Sequence, residues 1–103
     1  MRCRVCIDTG ADQCLFPLVF AVALGIDVLN LPRTNTGGVG ASNVTLFAPL
    51  TVDLGQGINF TCQVGFTSGM DMHGIGLLGQ EGFFSNYDVH FSHKNSVLTV
   101  HVP

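Results

Sequence analysis

Residues 58–66 read Ile-Asn-Phe-Thr-Cys-Gln-Val-Gly-Phe, and this stretch gives the clearest indication of the fold. Apolar side chains occupy every second position, as in a β-strand that buries one face and exposes the other. Residues 44–54 alternate in the same way, apart from a break at Phe47-Ala48-Pro49, and Gly55-Gln56-Gly57 separates the two runs. Because a short glycine-rich segment between two alternating runs is typical of a turn, this part of the chain predicts a β-hairpin.

Shorter elements are predicted on both sides of this hairpin. Pro17 suits a first helical position and Gly25 suits the residue just beyond a helix end. The segment between them, Leu18 to Leu24, is apolar on every side, as in a helix that other elements enclose. Short strands are predicted at residues 5–7, 15–16, 88–91 and 97–102, and a glycine-punctuated apolar stretch lies at 75–84. Together these elements predict an all-β domain with one or two short helices.

The composition limits the classes to which the protein can belong. Its 103 residues suffice for a single domain spanning 1–103, and an apolar share of 47% supports a buried core. Charged residues make up only 11%, which excludes a disordered chain and a coiled coil. The net charge is −3, so no basic patch is available to neutralise phosphates and we expect no nucleic-acid partner.

The cysteines indicate the cellular compartment. Four of them, Cys3, Cys6, Cys14 and Cys62, do not make the disulfide framework of a small secreted protein. We therefore expect free thiols, a reducing cytoplasmic location, and neither a metal nor a cofactor. One alternative stays open, because Cys3 and Cys6 form a Cys-x-x-Cys pair, and zinc in the purified protein would make it a metal module.

The N-terminal region also has some features of a signal peptide. Two arginines precede an apolar run from Cys14 to Ile26, and Ala21-Val22-Ala23 is similar to a cleavage site. Asp8, Asp12 and Pro17 do not fit that pattern, and the run is too short to span a bilayer. A buried helix is the favoured interpretation, with no membrane partner.

Three short segments carry the strongest functional signal. Asp8-Thr9-Gly10 follows Val5-Cys6-Ile7 and precedes Ala11-Asp12. Further along the chain come the glycine-rich segment Gly37-Gly38-Val39-Gly40-Ala41 and then Leu77-Leu78-Gly79. In this order, and in a chain of this length, the three segments resemble those of the retropepsin-like aspartic proteases, which include the retroviral proteases and many bacterial and eukaryotic relatives.

This resemblance implies an acid-protease fold, which is a closed β-barrel-like domain, and it implies a role for each segment. Asp8, Thr9 and Gly10 would be the catalytic residues. Segment 37–41 would be the tip of a flap hairpin that closes over a bound peptide, with a turn that has no gating role as the alternative. Leu77-Leu78-Gly79 would pass beside the active-site loop, with Gln80 to Phe84 in place of a short helix. The substrate-binding residues would be Ala11, Asp12, Gly38, Val39 and Gly40.

The chemistry of this family explains why the motif needs a second copy. Peptide hydrolysis requires one group that activates a water and another that protonates the carbonyl oxygen. In aspartic proteases as a class, two carboxylates about 3 Å apart cannot both ionise, so they share a proton and act as general base and general acid. Only Asp8 stands in such a motif here, so two chains related by a twofold axis must supply the pair.

The resemblance therefore implies a homodimeric aspartic endopeptidase that acts on polypeptides. In the family the hydroxyl at the position of Thr9 joins the two active-site loops, and Gly10 leaves room for backbone near the carboxylates. Asp12 matches a residue that contacts the substrate backbone and is normally supported by an arginine, but Gln80 and Glu81 occupy that stretch here.

A further departure concerns the N-terminus. Only seven residues precede Asp8, where family members carry a strand or hairpin, so the domain is expected to be short at this end. Either the sequence is truncated before the hairpin or the domain has lost it. Residues Val97 to Val102 would then carry more of the strand pairing between the two copies. The alternative to the enzyme is a catalytically inactive retropepsin-like module that binds peptides or mediates dimerisation.

Overall fold

The computed structural model describes residues 1–36 and 43–102, and this part of the chain consists mainly of β-strands. Its eight strands are β1 (Arg4–Ile7), β2 (Leu15–Pro17), β3 (Arg33–Thr36), β4 (Asn43–Gly55), β5 (Ile58–Thr67), β6 (Ile75–Leu78), β7 (Asp88–Ser92) and β8 (Val97–His101). One helix, α1 (Leu18–Ala23), follows β2, and 3-10 turns lie at Val28–Asn30 and Ser68–Met70. At the level of secondary structure, the prediction of a mostly β protein is confirmed.

The predicted hairpin is formed by β4 and β5. The two strands pair antiparallel from Thr45 opposite Thr67 to Gly55 opposite Ile58, with a register shift between Asp53 and Gly55. Residues 55–57 have φ angles of 81°, 55° and 81°, a left-handed conformation that glycine adopts without strain at two of the three positions. The side chains of Phe60, Val64 and Phe66 are buried, as the alternation in the sequence predicts.

The hairpin belongs to a six-stranded sheet with the order β1-β6-β2-β5-β4-β3. Strand β6 lies between β1 and β2, pairing parallel with β1 and, at Leu15 opposite Leu77, antiparallel with β2. Strand β2 also pairs parallel with β5. Because β1 and β2 are consecutive in the chain but lie on opposite sides of β6, the connection between them must pass the end of β6.

A cluster of aromatic rings forms much of the core. Phe16 and Phe66 have ring centroids 6.1 Å apart, and Phe60 and Phe83 are separated by the same distance. Phe83 lies in the segment after β6 and is completely buried. Tyr87, in the same segment, packs on Phe60 and donates its hydroxyl to the carbonyl oxygen of Asn59 at 2.7 Å. These contacts hold the segment after β6 against the long hairpin.

Strands β7 and β8 form a separate antiparallel pair. Val89 and Val100 are half-buried against the core, where they lie opposite each other in the register. Phe91 and Leu98 continue the same face, but 50% and 39% of their surfaces are exposed. The outer part of this small sheet therefore presents an apolar surface.

The closed barrel that the resemblance implies is not formed by the described residues. Strands β1 and β3 are the two ends of the sheet and do not pair with each other. Strand β3 pairs with β4 only as far as Leu46, which leaves the rest of that edge of β4 without a strand beside it. An open cleft of about 760 Å³ separates this part of β4 from the beginning of β1, with Val5 and Leu50 among its lining residues.

The prediction of an enclosed helix is wrong. Pro17 is the N-cap residue of α1 and Gly25 follows its end with a φ of 76°, close to the predicted bounds. Of the residues in α1 only Ala21 is buried, whereas Val19 and Val22 are 48% and 63% exposed. An entirely apolar run has no periodicity that would show which side faces solvent. In the described ranges, no helix combines the length and the apolar character needed to cross a membrane.

The position of Gly79, directly after β6, generates a test of this topology. An added Cβ would overlap the carbonyl oxygen of Gln13 and lie 2.6 Å from that of Ala11, and neither backbone atom can move aside easily. We expect Gly79→Ala to lower the free energy of unfolding by about 1–3 kcal/mol or more, measured by urea denaturation. Gly69→Ala is the control, because its Cβ would meet only the side chain of Asn43. Equal losses in the two variants would contradict the close approach at Gly79.

Candidate active site

Asp8 lies at the end of β1, beside the end of β6. Its backbone N–H donates to the carbonyl oxygen of Leu78 at 3.0 Å, which extends the pairing of these strands by one residue. The chain then turns back, and the N–H of Ala11 donates to the carbonyl oxygen of Asp8 at 3.2 Å. The backbone of Asp8 is thus held on both sides, so its side chain projects from a fixed base.

The two oxygens of the Asp8 carboxylate have different surroundings. Oδ1 accepts the N–H of Gly10 at 2.9 Å. Asp8 is half-buried, and Oδ2 has no hydrogen-bond partner in the described part of the chain. Every buried side-chain polar atom in that part has a partner, so Oδ2 is open to solvent. One oxygen is anchored and the other can meet a water or a second carboxylate.

The segment after β6 lies along the Asp8 loop, as the sequence analysis predicts for Leu77-Leu78-Gly79. The backbone N–H of Gln80 donates to the carbonyl oxygen of Ala11 at 2.8 Å, and that of Glu81 donates to Asp12 at 2.9 Å. The side chain of Gln80 reaches further back, with Nε2 donating to the carbonyl oxygen of Thr9 at 2.7 Å. Residues 80–84 form turns and no α-helix.

The other predicted site residues differ in their position. Thr9 is exposed, and its hydroxyl makes no hydrogen bond to residues 1–36 or 43–102. Ala11 is half-buried beside Asp8, and Asp12 is exposed and makes no ion pair within the same ranges. The predicted flap residues Gly38, Val39 and Gly40 lie outside the described residues.

Two residues that support the loop were missed in the sequence analysis. The sequence identifies Gln80 only as a replacement for an arginine, and it does not distinguish Cys14 from the other cysteines. Cys14 is completely buried behind the loop, where Sγ donates to the carbonyl oxygen of Glu81 at 3.4 Å and accepts the N–H of Gly79 at 3.5 Å. The sequence gives no signal that either residue supports the loop, because both contacts join segments that are more than sixty residues apart.

Cys14 and Cys62 form a pair of neighbouring thiols. Burial, reinforced by the neighbouring Cys14, raises the pKa of Cys62 to about 11. Both cysteines are free, and Cys3 and Cys6 are free and exposed. The described residues include no group of three side chains arranged to hold a metal ion.

Comparison of the chain with protein-family models, with curated proteins and with solved structures found no match. The large cleft between β1 and β4 does not include Asp8, because the cleft lies at the beginning of β1 and Asp8 follows its end. The features that bear on function are therefore Asp8, the loop that contains it and the segment that holds this loop.

The raised pKa of Cys62 predicts how stability changes with pH. The unfolded chain would lose the thiol proton near the ordinary value of 9.0, whereas the folded protein keeps it up to about pH 11. Deprotonation therefore favours the unfolded state first, and the free energy of unfolding should fall as the pH rises from about 9 to about 11.

Urea denaturation at a series of pH values measures this effect. Cys62→Ala should show a shallower fall between these pH values than the wild-type protein. Cys6→Ala is the matched control, because Cys6 is exposed, and its slope should equal that of the wild type. A Cys62→Ala slope identical to that of the wild type would contradict the assignment.

Proposed function

We propose that the protein is a retropepsin-like aspartic endopeptidase that hydrolyses peptide bonds in polypeptides as a homodimer. The observation that carries the proposal is the setting of Asp8, which lies beside β6 with one oxygen bound to Gly10 and the other open. The two segments that resemble the family, Asp8-Thr9-Gly10-Ala11 and Leu77-Leu78-Gly79, are adjacent in space. The two segments are far apart in the sequence, so it is the tertiary fold that brings them into contact.

The open oxygen determines the proposed mechanism. Two copies of Asp8, one from each chain, would share one proton and hold a water between them. The ionised carboxylate removes a proton from the water as its oxygen attacks the peptide carbonyl carbon, and the protonated carboxyl donates its proton to the carbonyl oxygen. Collapse of the tetrahedral intermediate breaks the C–N bond, and a proton passes to the leaving amine.

Thr9 and the neighbouring residues fit this arrangement. The Thr9 hydroxyl is exposed and has no partner in the described part of the chain, so it is available to the loop of a second copy. Ala11 and Asp12 follow directly and would contact the backbone of an extended substrate. The flap residues Gly38, Val39 and Gly40 complete the proposed binding site.

The second copy would dock in part on β8. Within the described residues β8 pairs only with β7, so its other edge carries backbone groups that are free to pair. Three of its five side chains are apolar, namely Val97, Leu98 and Val100, and Val97 and Leu98 are 52% and 39% exposed. An unpaired strand edge with exposed apolar side chains favours pairing with another strand, and we propose β8 of the second copy as its partner.

The thiols support a proposal for the location. Cys3 and Cys6 are exposed and unpaired, and Cys14 and Cys62 are neighbours without a disulfide. Because neighbouring thiols persist in a reducing environment, we propose that the protein acts in the cytoplasm.

The substitution Asp8→Asn tests the proposed activity. It removes both the base and the acid, each worth about 10²–10⁴-fold in rate, so cleavage of an unstructured polypeptide should fall by orders of magnitude. It also removes the repulsion between two carboxylates while keeping their size, so the thermal midpoint should stay unchanged or rise.

Asp53→Asn is the control for this experiment. Asp53 caps the hairpin turn by accepting the N–H of Gly55 at 2.8 Å, and the asparagine oxygen can accept the same bond. This variant should keep wild-type cleavage. If Asp8→Asn cleaved at a near-normal rate, the activity would reside elsewhere, and a wild-type protein that bound peptides without cutting them would favour the inactive module.

A further inference from the structure

The peptide group between Thr9 and Gly10 is held on both sides. Its carbonyl oxygen, on Thr9, accepts a hydrogen bond from Nε2 of Gln80 at 2.7 Å. Its N–H, on Gly10, donates to Oδ1 of Asp8 at 2.9 Å. One peptide group therefore takes part in both hydrogen bonds, through its C=O on one side and its N–H on the other.

This connection gives Gln80 a route to the Asp8 carboxylate. A peptide group is planar and rigid, so a bond that fixes the direction of its C=O also fixes the direction of its N–H. Hydrogen bonds in a series polarise one another, and donation to the carbonyl makes the N–H a stronger donor. Gln80 thereby acts on the orientation of Asp8 without touching it.

The backbone of Gln80 is itself fixed. Its N–H donates to the carbonyl oxygen of Ala11 at 2.8 Å, and its carbonyl oxygen accepts the N–H of Ser85 at 2.9 Å. The side chain is exposed, so it does not serve to fill the core. Within the described residues, the one hydrogen bond of this side chain is the bond to the carbonyl oxygen of Thr9.

We infer that Gln80 is a positioning residue of the proposed protease, which orients the Asp8 carboxylate through the Thr9–Gly10 peptide group. The inference rests on the proposed function. In this role the side-chain amide of Gln80, directly after Gly79, holds the Asp8 loop in the conformation needed for catalysis.

Two substitutions separate this role from packing. Gln80→Met keeps the length of the side chain but removes the donor. Gln80→Glu keeps the shape but directs a carboxylate oxygen at the Thr9 carbonyl oxygen, which repels it. Gln63 supplies the matched controls Gln63→Met and Gln63→Glu, because it is an exposed residue of β5 with no side-chain hydrogen bond to the described residues.

Steady-state kinetics on an unstructured polypeptide gives the first measurement. We expect Gln80→Met to lower kcat by roughly 10- to 100-fold with KM nearly unchanged, because a misplacement of about 1 Å can cost 10²-fold. Gln80→Glu should lower kcat further, and both Gln63 variants should match the wild type. Wild-type kcat in Gln80→Met, or an equal loss in Gln63→Met, would overturn the inference.

Amide hydrogen exchange at Gly10, followed by NMR, gives a second measurement that does not depend on catalysis. The Gly10 N–H donates to Oδ1 of Asp8, and we expect this bond to slow its exchange. Exchange should then be faster in Gln80→Met and unchanged in Gln63→Met. An unchanged Gly10 rate in Gln80→Met overturns the inference whether or not the protein cleaves peptides. If the wild-type protein has no peptidase activity, the proposed function fails, and the exchange rates alone decide whether Gln80 holds the loop.

Discussion

The position of β6 between β1 and β2 is the constraint on which the candidate site depends. It forces the connection after Asp8 to pass the end of β6, where Gly79 comes so close to the carbonyl oxygens of Ala11 and Gln13 that no larger residue fits. The backbone bonds from Gln80 to Ala11 and from Glu81 to Asp12 follow from the same crossing. The backbone that carries the half-buried carboxylate of Asp8 is thus held in place by strand pairing.

The core ties this crossing to the rest of the molecule. Phe83, a few residues beyond Gly79, packs on Phe60 of the long hairpin, and Cys14 is buried between the loop and the segment after β6. The loop is therefore supported from behind by packed side chains, while its outer surface, with Thr9 and one oxygen of Asp8, stays open. In our account, that open surface together with the free edge of β8 is what a second copy covers.

Local patterns in the sequence predicted the local structure. The alternation at 58–66 predicted β5, and the glycines around Gln56 predicted the turn. The place of β6 could not be derived in this way, because its short apolar run has no alternation and its partner β1 lies about seventy residues earlier. The motif indicated Asp8, whereas the support from Gln80 and Cys14 depends on tertiary contacts. The implied closed barrel is absent from the described residues because no strand fills the gap between β4 and β1.

The central claim is that one Asp8 per chain forms half of a catalytic pair. Peptidase activity measured over a range of protein concentrations, alongside sedimentation to determine the fraction of dimer, tests it most directly. Below the dimer dissociation constant the account predicts that activity rises with more than first-order dependence on protein concentration, in parallel with the dimer. Activity that is strictly proportional to concentration in a protein verified to be a monomer would contradict the shared pair.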